Sequence, residues 1–411
     1  RATDAQPPRP WTVSHLDVAI EVGSELAERS LLDSRGEAHW LGLGLVAQTE
    51  RVQLELIGDT FYDGRCGVAL FLSALHRATS ESRWAELARA SLFSLERLGA
   101  HLHRYTGDRA LLPSLGALGS MVYAVTRTSQ FLAEPQLLEL ADPLAAAIDD
   151  ALIHGDTGYD VLSGSAGAIF GLLSLHQVTG HSQLLAKART CGDHLLAHRD
   201  GSPGTRAWTT LGTVPLTGFS HGAAGIALAL LRLHEATGES RFHAAAIEAM
   251  EYERTLFSPE HRNWPDLRLA DDQERPYPDQ WCHRSTGIVL ARLGALSMIP
   301  GDVLIEEEIR AGLSTTCRAL SPIDHLCCGN AGRIEALLLG ATQLDHEPWH
   351  TAAARLTQEV LERRTATGGY RLFPTIPRPV FNPGFFRGVA GIGYQWLRVA
   401  DPELPSALSW Q

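Results

Sequence analysis

The sequence predicts an all-α fold, seven helical hairpins closed into a double ring, with a few short strands confined to insertions. Two observations carry this reading. Aligning the chain on Gly-x-x-Gly followed by an apolar run gives seven segments, one with Arg at its lead position, and the stretches between them read as amphipathic helix. The segments are "YDGRCGVALFLSAL" from 62, "LGALGSMVYAV" from 115, "LSGSAGAIFGLLSL" from 162, "SHGAAGIALALLRL" from 220, "CHRSTGIVLARLGAL" from 282, "CCGNAGRIEALLLG" from 327 and "FRGVAGIGYQWLRV" from 386. Their lead positions, 64, 116, 164, 222, 284, 329 and 388, are 45 to 62 residues apart, which fits two helices and two loops per repeat.

A glycine pair at a helix start lets the backbone approach a neighbour closely and leaves free N–H groups pointing outward. The apolar run after each pair reads as a buried inner helix. The intervening stretches, such as "ESRWAELARASLFSLERLGAHL" from 81 and "HTAAARLTQEVLERR" from 350, read as outer helices with one apolar face. An open solenoid would need atypical capping repeats, and none stands out, so the ring is favoured. β-Branched alternation is scarce, and strands are expected only around "NWPDLRLADD" (263–272) and "GGYRLFP" (368–374). Residues 1–38 read as a linker and lead-in, with "RATDAQPPRP" resembling a linker cut in mid-chain, and 39–411 as one domain.

The 411 residues are 45% apolar, enough for a sizeable core, and carry a formal charge of −12. That balance, with no Lys/Arg run, argues against a nucleic-acid surface. The longest apolar stretches, such as "GIALALLRL" at 225–233, fall short of the roughly 20 residues that span a bilayer, and no signal peptide opens the chain. A cytoplasmic protein without stable membrane insertion is expected. Six cysteines are too few for a disulfide scaffold, so their clustering carries the information.

If the repeats close, the two residues before each lead position converge on one end of the ring. Most are bland, but repeats four, five and six offer Ser220 and His221, Cys282 and His283, and Cys327 and Cys328. Cys282 and Cys327 share one register position 45 residues apart, which suits a metal bridging adjacent repeats. Zinc is the natural candidate, since it takes sulfur and nitrogen ligands and keeps an open position in catalytic sites. Cys328 is the favoured third ligand, with His283 and His325 as competitors; the rival reading is three small apolar residues packed near glycines. His221 is either a hydrogen-bonded core histidine or a catalytic group one repeat from the thiols. Asp160 either caps the helix that follows or orients a histidine or substrate. Asp63 is expected to cap its helix, and Trp264 and Trp281 to form core or wall.

These residues resemble the lanthipeptide cyclase (LanC-like) family, with its seven-repeat α/α toroid and motifs of the form HGxxG, WCHGxxG and CHGxxG. Here they stand as "SHGAAG" at 220, "WCHRSTG" at 281 and "CCGNAG" at 327. "HWLGLGL" at 39 and "FYDGRCGVALFLSALHRAT" at 61 look most like the cyclase domain at the C-terminus of class II lanthipeptide synthetases (LanM), which implies an N-terminal dehydratase in the full chain. The resemblance implies zinc on Cys282, Cys327 and Cys328, where most members have His in the last position and a class II subgroup has CCG. It also implies an acid/base role for His221 and an active-site role for Asp160. The implied reaction is carbon–sulfur bond formation: cysteine thiolates of a dehydrated precursor peptide, with leader and core, add to dehydroalanine or dehydrobutyrine and close thioether rings. Arg284 departs from the pattern by replacing the first glycine of repeat five. Rival functions are glycoside hydrolysis, which needs paired carboxylates that are not seen in register, a non-catalytic zinc-stabilised peptide-binding toroid, and a relative of the LanC-like proteins that add glutathione.

Overall fold

The computed structural model describes residues 14–45, 52–104, 113–268, 277 and 279–411. Helix α1 (His15–Glu28) leads into two short antiparallel hairpins, β1 (Leu31–Leu32) with β2 (Ala38–His39) and β3 (Leu41–Leu45) with β4 (Val52–Leu56). The ring follows. Its helices are α2 (Arg65–Thr79), α3 (Ser82–Leu92), α4 (Ser94–Arg104), α5 (Leu115–Leu132), α6 (Ala141–Ala147), α7 (Asp150–His154), α8 (Ser165–Thr179) and α9 (Ser182–Ala197). They continue through α10 (Ala223–Thr237), α11 (Ser240–Thr255), α12 (Ser285–Ala295), α13 (Val303–Thr316), α14 (Asn330–Gln343), α15 (Glu347–Thr367) and α16 (Val389–Ala400).

Every apolar run found in the sequence is an inner helix. α2, α5, α8, α10, α12, α14 and α16 each pack on the next, and α16 returns to α2, so the fold is a closed α/α toroid. Six of the seven begin at the lead position as N-cap; α5 begins earlier, capped by the Ser114 hydroxyl, which accepts from Ala117 N. Outer helices α3, α9, α11, α13 and α15 cover repeats one, three, four, five and six, and α6 packs on α5 in repeat two. The partner of α16 is α1, so the N-terminal helix completes the C-terminal repeat.

The second glycine of each pair answers to one contact. A Cβ on Gly67, Gly167, Gly225, Gly287, Gly332 or Gly391 would lie 1.8 to 2.4 Å from the carbonyl oxygen six residues earlier, on Phe61, Val161, Phe219, Trp281, Leu326 or Phe385. The chain therefore folds back across the start of its own helix in a turn too tight for a side chain. In repeat two the glycines serve the neighbour instead, since Gly119 meets the Gly167 carbonyl and Gly171 the Gly119 carbonyl. The residues supplying those carbonyls line the ring's interior as Phe61, Val161, Phe219, Trp281, Leu326 and Phe385, all buried. Trp410 closes that interior, with ring centroids 5.0 Å from Tyr123, 5.4 Å from Phe170 and 5.7 Å from Phe61.

The expected strands are not where the sequence pointed. Within the described part of 263–272 there is only an isolated bridge between Ser258 and Asn263, and 269–272 lies outside the described residues. Segment 368–374 has no strand because its backbone pairs with one residue: Asp324 N donates to Arg371 O (2.8 Å) and Arg371 N to Asp324 Oδ2 (2.9 Å). The strands present were hidden by glycine. In "LGLGL" the period-two leucines pair across the hairpin, Leu41 with Leu56 and Leu43 with Leu54.

Gly167→Ala should destabilise the fold by about 3 kcal/mol, because a backbone carbonyl cannot yield as a side chain can. Gly58→Ala, at a position with open space around its Cβ, should stay within about 0.5 kcal/mol of the parent. Denaturant unfolding of the two variants measures both; equal midpoints would show that the glycine turn is not a constraint.

Candidate metal centre and active site

The loops before the inner helices are zipped together by backbone hydrogen bonds. Val161 N donates to Ser220 O (3.1 Å), Ser220 N to Cys282 O (3.3 Å), Cys282 N to Cys327 O (3.4 Å), Cys327 N to Phe386 O (2.9 Å) and Phe386 N to Tyr62 O (2.8 Å). Buried N–H and C=O groups in irregular loops need partners, and here each repeat supplies the next. This belt puts one register position of repeats four, five, six, seven and one side by side.

On it, the three clustered cysteines meet. Cys282 Sγ lies 3.3 Å from Cys328 Sγ, Cys328 Sγ lies 3.4 Å from Cys327 Sγ, and all three sulfurs fall within 4.8 Å of one another. Tetrahedral zinc, with bonds near 2.3 Å, separates its sulfur ligands by about 3.8 Å, so the donor set has the size and softness for such an ion. Hydrogen bonds from Cys327 and Cys328 hold the Cys282 thiol below its ordinary value, burial pushes Cys327 up to about 11, and Cys282 pushes Cys328 up.

Neither competing histidine joins the cluster. His325 Nδ1 accepts the backbone N–H of Cys328 at 3.3 Å, and burial pushes its pKa down to about 4. His283 lies flat against His221, ring centroids 5.7 Å apart, and burial pushes it down to about 3. A second group of possible metal donors, Asp33, Glu37 and His39, is engaged in ion pairs with Arg35, Arg65 and Arg97.

His221 Nδ1 stands 2.7 Å from Asp160 Oδ2. Asp160 does not cap α8, whose N-cap is Gly164 without a side-chain bond; its Oδ1 instead accepts from Ser163 N (2.7 Å) and Ser163 Oγ (2.9 Å) in the turn that leads to that helix. The Asp160 side chain is 1% exposed and that of His221 21%, so the pair is anchored at one end and open at the other. The loop carrying His221 rests on Glu253, whose Oε1 accepts from Gly218 N and Ala224 N, both at 3.1 Å, while Oε2 pairs with Arg292 at 2.9 Å. Burial pushes Glu253 up to about 7. Trp264 and Trp281 are wall residues: their indole N–H groups donate to Glu253 O and Leu408 O.

Arg284, the departure from the glycine pattern, takes φ +81°, a conformation glycine adopts freely and other residues adopt under strain. Its side chain is 1% exposed and is held by an ion pair to Asp266, while Nε and Nη1 have no partner. Burial would raise Asp266, but Arg268 and Arg284 hold it down to about 2. Arg268, 44% exposed, donates from Nη2 to Asp266 Oδ2 at 2.9 Å and lies near enough to Cys282 and Cys328 to feel their charge.

Asp63 does not cap α2; the N-cap is Gly64, without a side-chain bond. It is buried beside Arg387, whose backbone N–H it accepts, with Oδ1 unpartnered, and burial pushes it up to about 7. Tyr62, one residue earlier, was missed in the sequence. Its hydroxyl lies 2.9 Å from Cys327 Sγ. The signal was available: Tyr62 holds in repeat one the register position that Cys282 and Cys327 hold in theirs.

A closed α/α toroid with a three-thiol cluster and a carboxylate–histidine pair on one end defines the class of protein. Residues 55–410 match the family described as "Lanthionine synthetase C-like protein". The chain belongs to that family. Among solved structures it is similar to one titled "Nisin cyclase", with TM-score 0.61 and 16% identity over 84% of this chain and 89% of that one. A GH76 α-mannanase of Bacteroides thetaiotaomicron has TM-score 0.52 at 11% identity (95% and 96% covered), and the Lin0763 protein of Listeria innocua 0.51 at 10% (94% and 97%). At these identities the likeness is one of fold. Comparison with curated protein sequences returned no match. No helix among the described residues is long and apolar enough to cross a membrane.

Asp266→Ala should cost about 3 kcal/mol or more, because it leaves the Arg284 guanidinium buried without its counter-ion. Adding Arg284→Gly should recover most of that loss, since it removes the stranded charge and the strained φ together. Unfolding free energies of the two single variants and the double variant test this, and additive losses would refute it.

Proposed function

We propose that the domain is a zinc-dependent cyclase that forms lanthionine and methyllanthionine, adding cysteine thiolates to dehydroalanine or dehydrobutyrine within one ribosomally made precursor peptide. The observation that supports this most is the meeting of Cys282, Cys327 and Cys328 with the Asp160–His221 pair on one end of the toroid. Zinc held by the three cysteines with a fourth position open would supply an acidified peptide thiol, so that sulfur arrives as thiolate near neutral pH.

The chain's own residues do the rest. As sulfur bonds to the β-carbon, the alkene electrons move toward the carbonyl and leave an enolate whose α-carbon needs a proton. His221 carries that proton on Nε2, the nitrogen turned away from Asp160. Asp160 accepts from Nδ1–H, which fixes the ring's tautomer and stabilises the imidazolium. His283, kept neutral by burial, packs against His221 without adding a competing charge. The proton lost by the thiol is regained at carbon, so the step is an isomerisation that consumes neither ATP nor a redox cofactor. The dehydrated residues come from an earlier water-eliminating step, which the resemblance assigns to a dehydratase domain N-terminal to this one, and the location is cytoplasmic.

Incubation with a dehydrated, cysteine-containing peptide should consume its free thiols without changing its mass, and elemental analysis should find close to one zinc per chain. Cys282→Ala and Cys327→Ala should lose the metal. His221→Asn should keep zinc and fold while slowing cyclisation by about 10²- to 10⁴-fold. Unconsumed thiols with zinc present would sink the cyclase reading, and consumption of added glutathione in preference to the peptide's own cysteine would redirect it.

A further inference from the structure

We propose that Tyr62 is a positioning residue of the metal centre: its hydroxyl donates to Cys327 Sγ and sets how much charge that sulfur gives to a bound dication. The inference rests on reading the three cysteines as a metal site. It goes beyond that reading by assigning a role to a residue of repeat one, which lies across repeat seven from the ligand it touches.

The contact is built in. The Tyr62 ring stacks on Phe386 with centroids 4.8 Å apart and planes 11° from parallel. The Tyr62 carbonyl accepts from Phe385 N (3.2 Å) and Phe386 N (2.8 Å), and the Phe386 carbonyl accepts from Cys327 N (2.9 Å). Phenol and thiol are therefore both fastened to Phe386. Their 2.9 Å separation follows from backbone bonds and ring stacking that need no metal to form.

The three sulfurs are not equally served. Cys327 has a phenolic O–H. Cys282 has no hydroxyl donor among the described residues but accepts the backbone N–H of His283; its side-chain neighbour outside the cluster is Gln280 Oε1 at 3.9 Å. Cys328 faces the other two sulfurs at 3.3 and 3.4 Å. Three thiolates carry one negative charge more than a dication cancels, and the excess sits in a buried place. A hydrogen bond to a ligating sulfur withdraws part of that charge, and partners of this kind usually matter to metal affinity by 10- to 100-fold. Tyr62 relieves one sulfur and leaves Cys328 the more electron-rich donor. Because the phenol comes from repeat one, metal loading is also tied to closure of the ring.

The test uses the full chain. Tyr62→Phe keeps the stacked ring and removes the donor; fluorotyrosine at position 62 keeps the shape and strengthens the donor. Zinc affinity is read by competition with a chromophoric chelator, and donor strength by the sulfur-to-metal charge-transfer band of the Co²⁺-loaded protein. Tyr62→Phe should weaken zinc binding by about 10- to 100-fold and move the band to lower energy, because an undressed sulfur yields its electron more readily. Fluorotyrosine should move the band the other way. A band and an affinity that neither change moves would overturn the role of Tyr62 while leaving the metal site intact. Failure of the unsubstituted chain to take up zinc or cobalt would overturn the metal reading and this one with it.

Discussion

The belt of backbone hydrogen bonds running from Val161 through Ser220, Cys282, Cys327 and Phe386 to Tyr62 is the constraint on which the rest of the molecule depends. It is made by pre-helix loops, which in an ordinary helical hairpin would turn their N–H and C=O groups to water. Here the loops face the interior, where an unpaired group costs about 1–3 kcal/mol. Each repeat therefore has to find its partner in the next, and the register between repeats leaves little freedom. Cys282 and Cys327 become neighbours because their backbones are bonded, with 45 residues of chain between them.

The glycines make that belt possible. In six repeats the second glycine lies against the carbonyl six residues earlier, so the loop turns back over the helix start before it joins the belt. Arg284 shows what happens when the first glycine is given up: the backbone takes a glycine conformation, and a buried guanidinium has to be neutralised. Asp266 neutralises it and also holds Arg268 beside the thiols. The substitution thus ties the segment that follows α11 to the edge of the three-thiol cluster.

Much of this was legible in the sequence, and the reason is periodicity. Six glycine pairs and one half-pair at similar spacing gave the inner helices, and comparing register positions gave the three cysteines and His221. What escaped lacks a period. The pairing of α16 with α1 joins the two ends of the chain, and no local pattern announces it. Asp266 is 18 residues from Arg284 in sequence, inside the long segment between α11 and α12, where no periodic pattern marks it. The strands at 41–45 and 52–56 alternate, but half the alternation in the first is glycine, which reads as a loop. Asp160 had two candidate roles because cap and orienting group look alike in sequence; in the structure one oxygen braces the turn at Ser163, the other meets His221 Nδ1, and the helix that follows has no side-chain cap.

The electrostatics of the site follow from the same architecture. Three thiols converge in a buried place, and two arginines from different elements stand near them. Burial works against the charge of each, yet both are held above the ordinary range, Arg268 by Asp266 and the Cys282 and Cys328 thiols, Arg387 by Tyr62, Asp63 and the Cys327 and Cys328 thiols. Arg268 and Arg387 face the sulfurs, and Cys327 accepts the Tyr62 hydroxyl. Asp160, one oxygen on His221 Nδ1, has its other on Ser163. The same belt sets repeat four beside repeats five and six, so the Asp160–His221 pair and the three thiols come to one end of the ring although 45 to 62 residues of chain separate consecutive repeats.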